Sequence, residues 1–144
     1  MKKILTLIIL TLLLSGCTKT KSITCEASET EAKTNITTKV ISKYNYNKSG
    51  LKILSIDYTI EVSGDVSKDN LIATKNMFEN TICGKSKPSN IKCEILLTDE
   101  KVAVISNEEI KDNKSSLLGI GNLDELTYNK FKENEKDNKN CKFE

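Results

Sequence analysis

Leu54, Ile56, Tyr58, Ile60 and Val62 alternate with Ser55, Asp57, Thr59 and Glu61. Successive side chains of an extended chain point to opposite sides, so this run reads as a strand with one buried and one wet face. Such half-wet strands are typical of antiparallel sheets. A second run keeps the same parity: Ile36, Thr38, Val40, Ser42, Tyr44 and Tyr46. Asn47-Lys48-Ser49-Gly50 separates the two and predicts a hairpin. Directly paired residues share a face, and both apolar sets are even-numbered. A turn without a bulge therefore needs an odd loop of three or five residues. A four-residue loop puts one apolar face in water unless a bulge, expected at Gly50, absorbs the slip.

The rest of the chain supplies shorter signals. Ile23-Thr24-Cys25-Glu26-Ala27 reads as a strand, followed by a polar turn or loop from Ser28 to Asn35. Ser67 is a good N-cap with Asp69 in the first turn, and Leu71, Phe78 and Ile82 recur at helical spacing, with Thr74 on the same face. Gly84 stands where a C-terminal cap glycine belongs. Ile91, Cys93, Ile95 and Leu97 alternate as another strand, and Val102 to Ile105 is apolar on both parities, as a strand covered on both faces would be. Ser106 to Ser116 reads as loop. Asn122 is placed to cap a last helix from Leu123 to Lys136, with Leu126 and Phe131 inward. The expected fold is α+β: an antiparallel sheet of about five strands with two helices on one face, in the order β-β-β-α-β-β-α.

The chain opens Met1-Lys2-Lys3, then runs apolar from Ile4 to Leu14. Eleven helical residues span about 16 Å, roughly half of a hydrocarbon core, which suits a signal peptide and not a membrane anchor. Leu14-Ser15-Gly16-Cys17 follows and matches a lipobox. Its chemistry needs small residues before the cut and a thiol after it, because the thiol becomes the thioether that carries the lipid. Residues 1–16 are thus expected to be a lipoprotein signal peptide and Cys17 the lipid-bearing first residue. Residues 17–22 form a lipidated tether and 23–144 a single domain. Two acyl chains anchor stably where one is marginal. The expected location is the extracytoplasmic face of the cell membrane.

Processing changes the charge argument. The whole chain carries 22 lysines, no arginine and 20 acids; losing Lys2 and Lys3 balances the side chains to zero. The slight basicity of the precursor therefore implies no nucleic-acid partner, and no basic patch with interleaved aromatics is present. Histidine and tryptophan are absent. Without arginine, bidentate recognition of phosphate or carboxylate loses its usual residue.

Four cysteines follow Cys17: Cys25, Cys83, Cys93 and Cys141. In an exported domain this even count reads as two disulfides, with three pairings open. The short polar connector between Cys83 and Cys93 favours their local pairing, which leaves Cys25 for Cys141. A zinc site is disfavoured, since no pair has C-x-x-C spacing and no histidine is available.

The lipobox, the strand from Ile23-Thr24-Cys25, the hairpin ending Ile56-Asp57-Tyr58-Thr59-Ile60, the helix opening Ser67-Lys68-Asp69 and the closing Asn140-Cys141-Lys142 together resemble the YehR-like family of small bacterial lipoproteins. The resemblance spans most of the mature chain. It implies the α+β fold and membrane attachment, and no activity. The Cys83 and Cys93 pair lies outside that pattern.

No catalytic constellation, metal set or cofactor motif stands out. The leading expectation is a lipid-anchored monomeric binding or interaction module with an envelope protein as partner. A variant is an inhibitor or immunity protein that uses the hairpin tip Asn47 to Gly50 against a secreted enzyme. The competing class is an envelope hydrolase working with two carboxylates, for which Asp57 with Glu61, or Glu108 with Glu109, are the candidates. A third class is an assembly role through an exposed apolar patch. Glu94, Asp99 and Glu100 lack EF-hand spacing and read as turn and strand-edge charges, not a calcium site.

Overall fold

The computed structural model describes residues 20–144. The signal peptide, Cys17 and the first tether residues lie outside the described residues. Six strands and two helices follow in the order β1 (Ser22–Glu31), β2 (Ile36–Tyr46), β3 (Ile53–Gly64), α1 (Lys68–Thr81), β4 (Ile91–Leu97), β5 (Lys101–Glu109), α2 (Tyr128–Asn134) and β6 (Cys141–Phe143). All strands join one antiparallel sheet in the spatial order β4-β5-β3-β2-β1-β6. The fold is α+β, with a sixth strand that the sequence pattern had not revealed, because three residues are too few to show a period.

The central hairpin obeys the parity argument and corrects its details. From Ile36↔Gly64 to Asn45↔Ser55 the two strands pair even with even and odd with odd, and then Tyr46 pairs with Ile53. Leu54 is the extra residue of a β-bulge. The bulge puts Ile53 into the core at 4% exposure and leaves Leu54 51% exposed, so Leu54 does not belong to the buried set. The connecting loop is the even-length 47–52, and the slip is absorbed at Leu54 instead of Gly50. Gly50 serves the turn differently. Its φ is +74°, and a Cβ there would lie 2.9 Å from the Tyr128 Cβ.

The even face of β2, β3 and β5 carries both helices. Under α1, Leu71 and Phe78 are buried with Val102 and Val104, and Ile60, Val62, Ile82 and Ile95 pack around them. Under the C-terminal segment, Ile23, Tyr46, Ile53, Ile56, Leu123 and Tyr128 form the second cluster. Ser67 caps α1 by accepting from the Asn70 amide at 3.3 Å. Gly84 is not a left-handed cap. It is needed because a Cβ there would lie 2.7 Å from the Asn80 carbonyl oxygen. The last helix is shorter than its pattern: Thr127, not Asn122, is the N-cap, and α2 covers only Tyr128–Asn134. The Asn122 side chain instead accepts from the Asp124 amide within a turn. Two strands are longer than read. β1 continues to Glu31, and β5 takes in Ser106 to Glu109, which had been read as loop. Val102, Ala103 and Val104 are buried, while Ile105 is 38% exposed, so β5 is covered on both faces only in part.

The cysteines pair as Cys25–Cys141 and Cys83–Cys93, with Cα separations of 4.0 and 5.5 Å. Ser22 and Glu144 exchange both backbone hydrogen bonds, which makes Cys25 and Cys141, three positions on, a non-hydrogen-bonded pair. Such pairs bring Cα atoms closest in an antiparallel ladder. The bridge therefore rivets β6 to β1 at a site the register already prepares. Its loop spans 116 residues, against 10 for the other bridge. In the chain-entropy model these are worth about 5 and about 3 kcal/mol. Replacing Cys25 and Cys141 with serine should lower the urea midpoint more than the same change at Cys83 and Cys93. Equal losses would mean that the long loop is already restricted in the unfolded chain.

Candidate functional site

The two sheet faces differ in what covers them. The even face lies under α1, α2 and the 110–127 segment, whereas among the described residues no helix packs on the odd face. Rows of that open face follow from the register. One crosses the sheet as Lys92, Asn107, Asp57, Lys43, Thr24 and Lys142. The next is Glu94, Ile105, Thr59, Ile41 and Glu26. A third is Leu96, Ala103, Glu61, Lys39 and Ser28. Apolar side chains thus sit in mid-sheet and near the β4 edge, with charges around them. Leu96 and Ile105 are 46% and 38% exposed, which sets them apart from the buried Ile91 of β4 and the buried Val102 and Val104 of β5.

Charged groups on this face are held in fixed partnerships. Asp57 accepts from Asn45 Nδ2 at 2.8 Å and from Asn107 Nδ2 at 2.6 Å, so one carboxylate links β2, β3 and β5. Lys101 reaches Glu61 at 2.9 Å, and Lys39 reaches Glu26 at 2.9 Å. The Glu26 hydrogen bond raises the Lys39 pKa above its ordinary value, against a smaller lowering by desolvation. These exposed pairs add little stability but fix side chains in place.

The candidate hydrolase carboxylates do not converge. Asp57 and Glu61 lie four residues apart on one strand, about 13 Å along the chain at 3.3–3.4 Å per residue. That exceeds the 5–10 Å at which two carboxyl groups flank a glycosidic bond. Glu108 and Glu109 are neighbours on one strand and so point to opposite faces. A shallow hollow beside β6 is lined by Glu26, Ser28, Lys139, Asn140 and Lys142, with a single carboxylate among them. Asp99 receives the Lys68 ammonium at 3.2 Å, and Glu94 stands on the open face. Among the described residues, no three histidine, cysteine or acidic side chains gather as a metal site.

Glu108 has a role that the loop reading hid. It is fully buried. Its carboxylate accepts from Ser115 Oγ at 2.6 Å, from the Ser116 amide at 2.8 Å and from the Leu117 amide at 3.2 Å. Three donors therefore solvate the buried charge without a cation, and the carboxylate closes the segment that bridges Ser115 to Ile120. The signal was present as parity: Val102, Val104, Ser106 and Glu108 continue one face of β5. Tyr46 is the second hidden group. It is fully buried, and its hydroxyl has no hydrogen-bond partner among the described residues. Burial pushes its pKa well above 10, with the nearby Tyr44 and Tyr128 adding to the effect.

The hairpin tip is locked and not free. Asn47 Oδ1 accepts from the amides of Leu51 and Lys52, and the Tyr128 amide donates to the Gly50 carbonyl at 2.8 Å. Leu51, the apolar side chain of the loop, is 62% exposed, with Lys48, Ser49 and Lys52 exposed around it. Among the described residues, no helix is long and apolar enough to cross a membrane. No family model, curated protein or solved structure matches this chain.

Two substitutions check these assignments. Glu108→Ala leaves three donors without their acceptor and should cost about 2–3 kcal/mol, with hydrogen exchange at Ser116 and Leu117 accelerated selectively. Unchanged protection there would rule out the clasp. Tyr46→Phe removes an unpaired buried hydroxyl and should raise stability by about 1 kcal/mol at neutral pH. It should also change the alkaline limb. The unfolded chain ionises this phenol from about pH 10 while the fold keeps it neutral, so wild-type stability falls as pH rises past 10. The variant's loss above pH 10 should be shallower, as urea titrations across pH 8–11 would show.

Proposed function

We propose that the chain is an extracytoplasmic lipoprotein, anchored through lipid on Cys17, whose domain is a binding module for an envelope protein. The observation that carries this reading is the bare odd face of the sheet. A sheet of this size with all its helices on one side leaves a broad, rigid and mixed surface. Ile41, Ile105 and Leu96 supply apolar contact, and the Glu26–Lys39 and Glu61–Lys101 pairs surround them. Interfaces of this kind combine a less charged centre with a polar rim. The lipobox supports the anchoring, and the disulfides suit an oxidising compartment. The motif resemblance to the YehR-like lipoproteins supports the same reading.

The inhibitor or immunity variant has less support, because the tip from Asn47 to Gly50 is tied down by α2. The hydrolase reading has none from the carboxylate geometry.

Two measurements test the proposal. Cys17→Ser should move the protein out of the membrane fraction and abolish lipid labelling; retention in that fraction with no label would sink the anchoring. A photo-crosslinking residue at Ile105, on the open face, should capture a defined envelope protein in cells. The same residue at Met77, exposed on α1, should not. Identical products from both positions would remove the open face as the binding surface.

A further inference from the structure

The strand directions sort the molecule into two ends. β1 starts, β2 stops, β3 starts and β5 stops at one end, so Lys21, the 47–52 loop and the 110–127 segment all lie there. The contacts agree. The Tyr46 amide donates to the Lys21 carbonyl at 2.9 Å, Lys21 Nζ reaches the Ser49 carbonyl, and the Ile110 amide donates to the Leu54 carbonyl. The turns at 32–35 and 98–100 lie at the other end, about 30 Å away along β1 at 3.3 Å per residue.

The ends differ in chemistry. The near end carries Lys21, Lys48, Lys52, Lys111 and Lys114, with Lys85 and Lys87 on the turn before β4, and beside them Asp112, Asp124, Glu125 and Glu144, which pairs with Ser22. It also exposes Leu51 and Leu54, two of the most exposed large apolar side chains among the described residues. The far end carries Glu31, Asp65, Asp69, Asp99 and Glu100 against Lys33, Lys68 and Lys101. Lysines around protruding leucines at one end are the composition of an interfacial membrane contact.

The chain leading from Cys17 enters the described domain at this same end, at Lys21. Cys17 precedes Lys21 by four residues, which span at most about 14 Å when fully extended. We infer that the near end of the domain docks on an anionic lipid surface, with Leu51 entering the interface and Lys21, Lys48 and Lys52 against the headgroups. This rests on the anchoring proposed above. The tether is too short to swing the far end down over a 30 Å domain without turning it over, and the acidic residues there disfavour that pose. Docked in this way, the sheet stands upright on the membrane. Its open face and acidic turns are then presented outward to a partner.

The absence of tryptophan makes the test direct. Leu51→Trp and, as control, Ala32→Trp at the exposed far turn are prepared as full-length lipidated protein. Each is reconstituted in vesicles containing phosphatidylglycerol, with brominated acyl chains as quencher. The tryptophan at position 51 should blue-shift and lose emission to the quencher, and the one at 32 should do neither. Phosphatidylcholine vesicles, or the added changes Lys48→Glu and Lys52→Glu, should reduce the quenching at 51. Floating protein with equal, solvent-like emission at both positions overturns the docking alone. Protein that fails to float with the vesicles overturns the anchoring, and the docking with it. Quenching at 51 that is indifferent to lipid charge and to both lysine changes overturns the anionic surface as the partner.

Discussion

The pairing of β2 with β3 is the constraint on which the rest of the molecule depends. It holds the longest strands in the middle of the sheet and decides which parity faces the helices. A one-residue slip toward lower numbers would exchange Tyr44, Tyr46, Ile56 and Ile60 for lysine, asparagine, serine and threonine on the core face. The Leu54 bulge preserves that parity across an even loop. Its consequence reaches beyond the hairpin. It seats Ile53 in the core beside Tyr46 and puts Leu54 outside, at the end from which the tether leaves.

Two small cores, not one, hang from this hairpin. One is made by α1 against β3, β4 and β5, and it is local in sequence once the hairpin exists. The other brings the first residues of the domain to the last. Ile23 from β1, Tyr128 from α2 and Phe143 from β6 meet around Tyr46, with edge-on ring contacts from Tyr46 to Tyr128 and from Tyr128 to Phe143. Each core is modest, as expected of a domain this size. The disulfides stand where chain connectivity is weakest: one at the three-residue strand β6, and one between the end of α1 and the edge strand β4. Glu108 does comparable work without a covalent bond. It fixes a glycine-containing segment that has no regular backbone ladder to satisfy its amides.

The polarity of the surface follows from the same architecture. Because the helices share one face, the opposite face is left to side chains of odd parity on the central strands. These are polar and paired there, with an apolar interruption at Ile41, Ile105 and Leu96. Because the strands are long and antiparallel, the loops separate into two ends, one lysine-rich beside the tether and one more acidic. The proposed binding face and orientation both derive from this one sheet.

Much of this was legible in the chain. The alternation from Leu54 to Val62, the capped helix at Ser67 and the strand at Ile91 have local causes, and local patterns report them. The lipobox pattern Leu14-Ser15-Gly16-Cys17, on which the proposed export rests, is likewise read from sequence, and so is the parity rule that demanded a bulge for an even loop. Tertiary structure decided the rest, because the causes lie far apart along the chain. No local signal could show that Leu54 is the bulged residue, since its side chain suits a core as well as Ile53 does. The strand β6 exists only because β1 offers an edge and Cys25 a partner. Glu108 is buried because Ser115, Ser116 and Leu117 fold back over it, and α2 starts at Thr127 because Tyr128 must reach Gly50. The alternating strands by themselves determined an antiparallel sheet with one wet face. Only the packing of both helices on the other side decided that this wet face would remain bare.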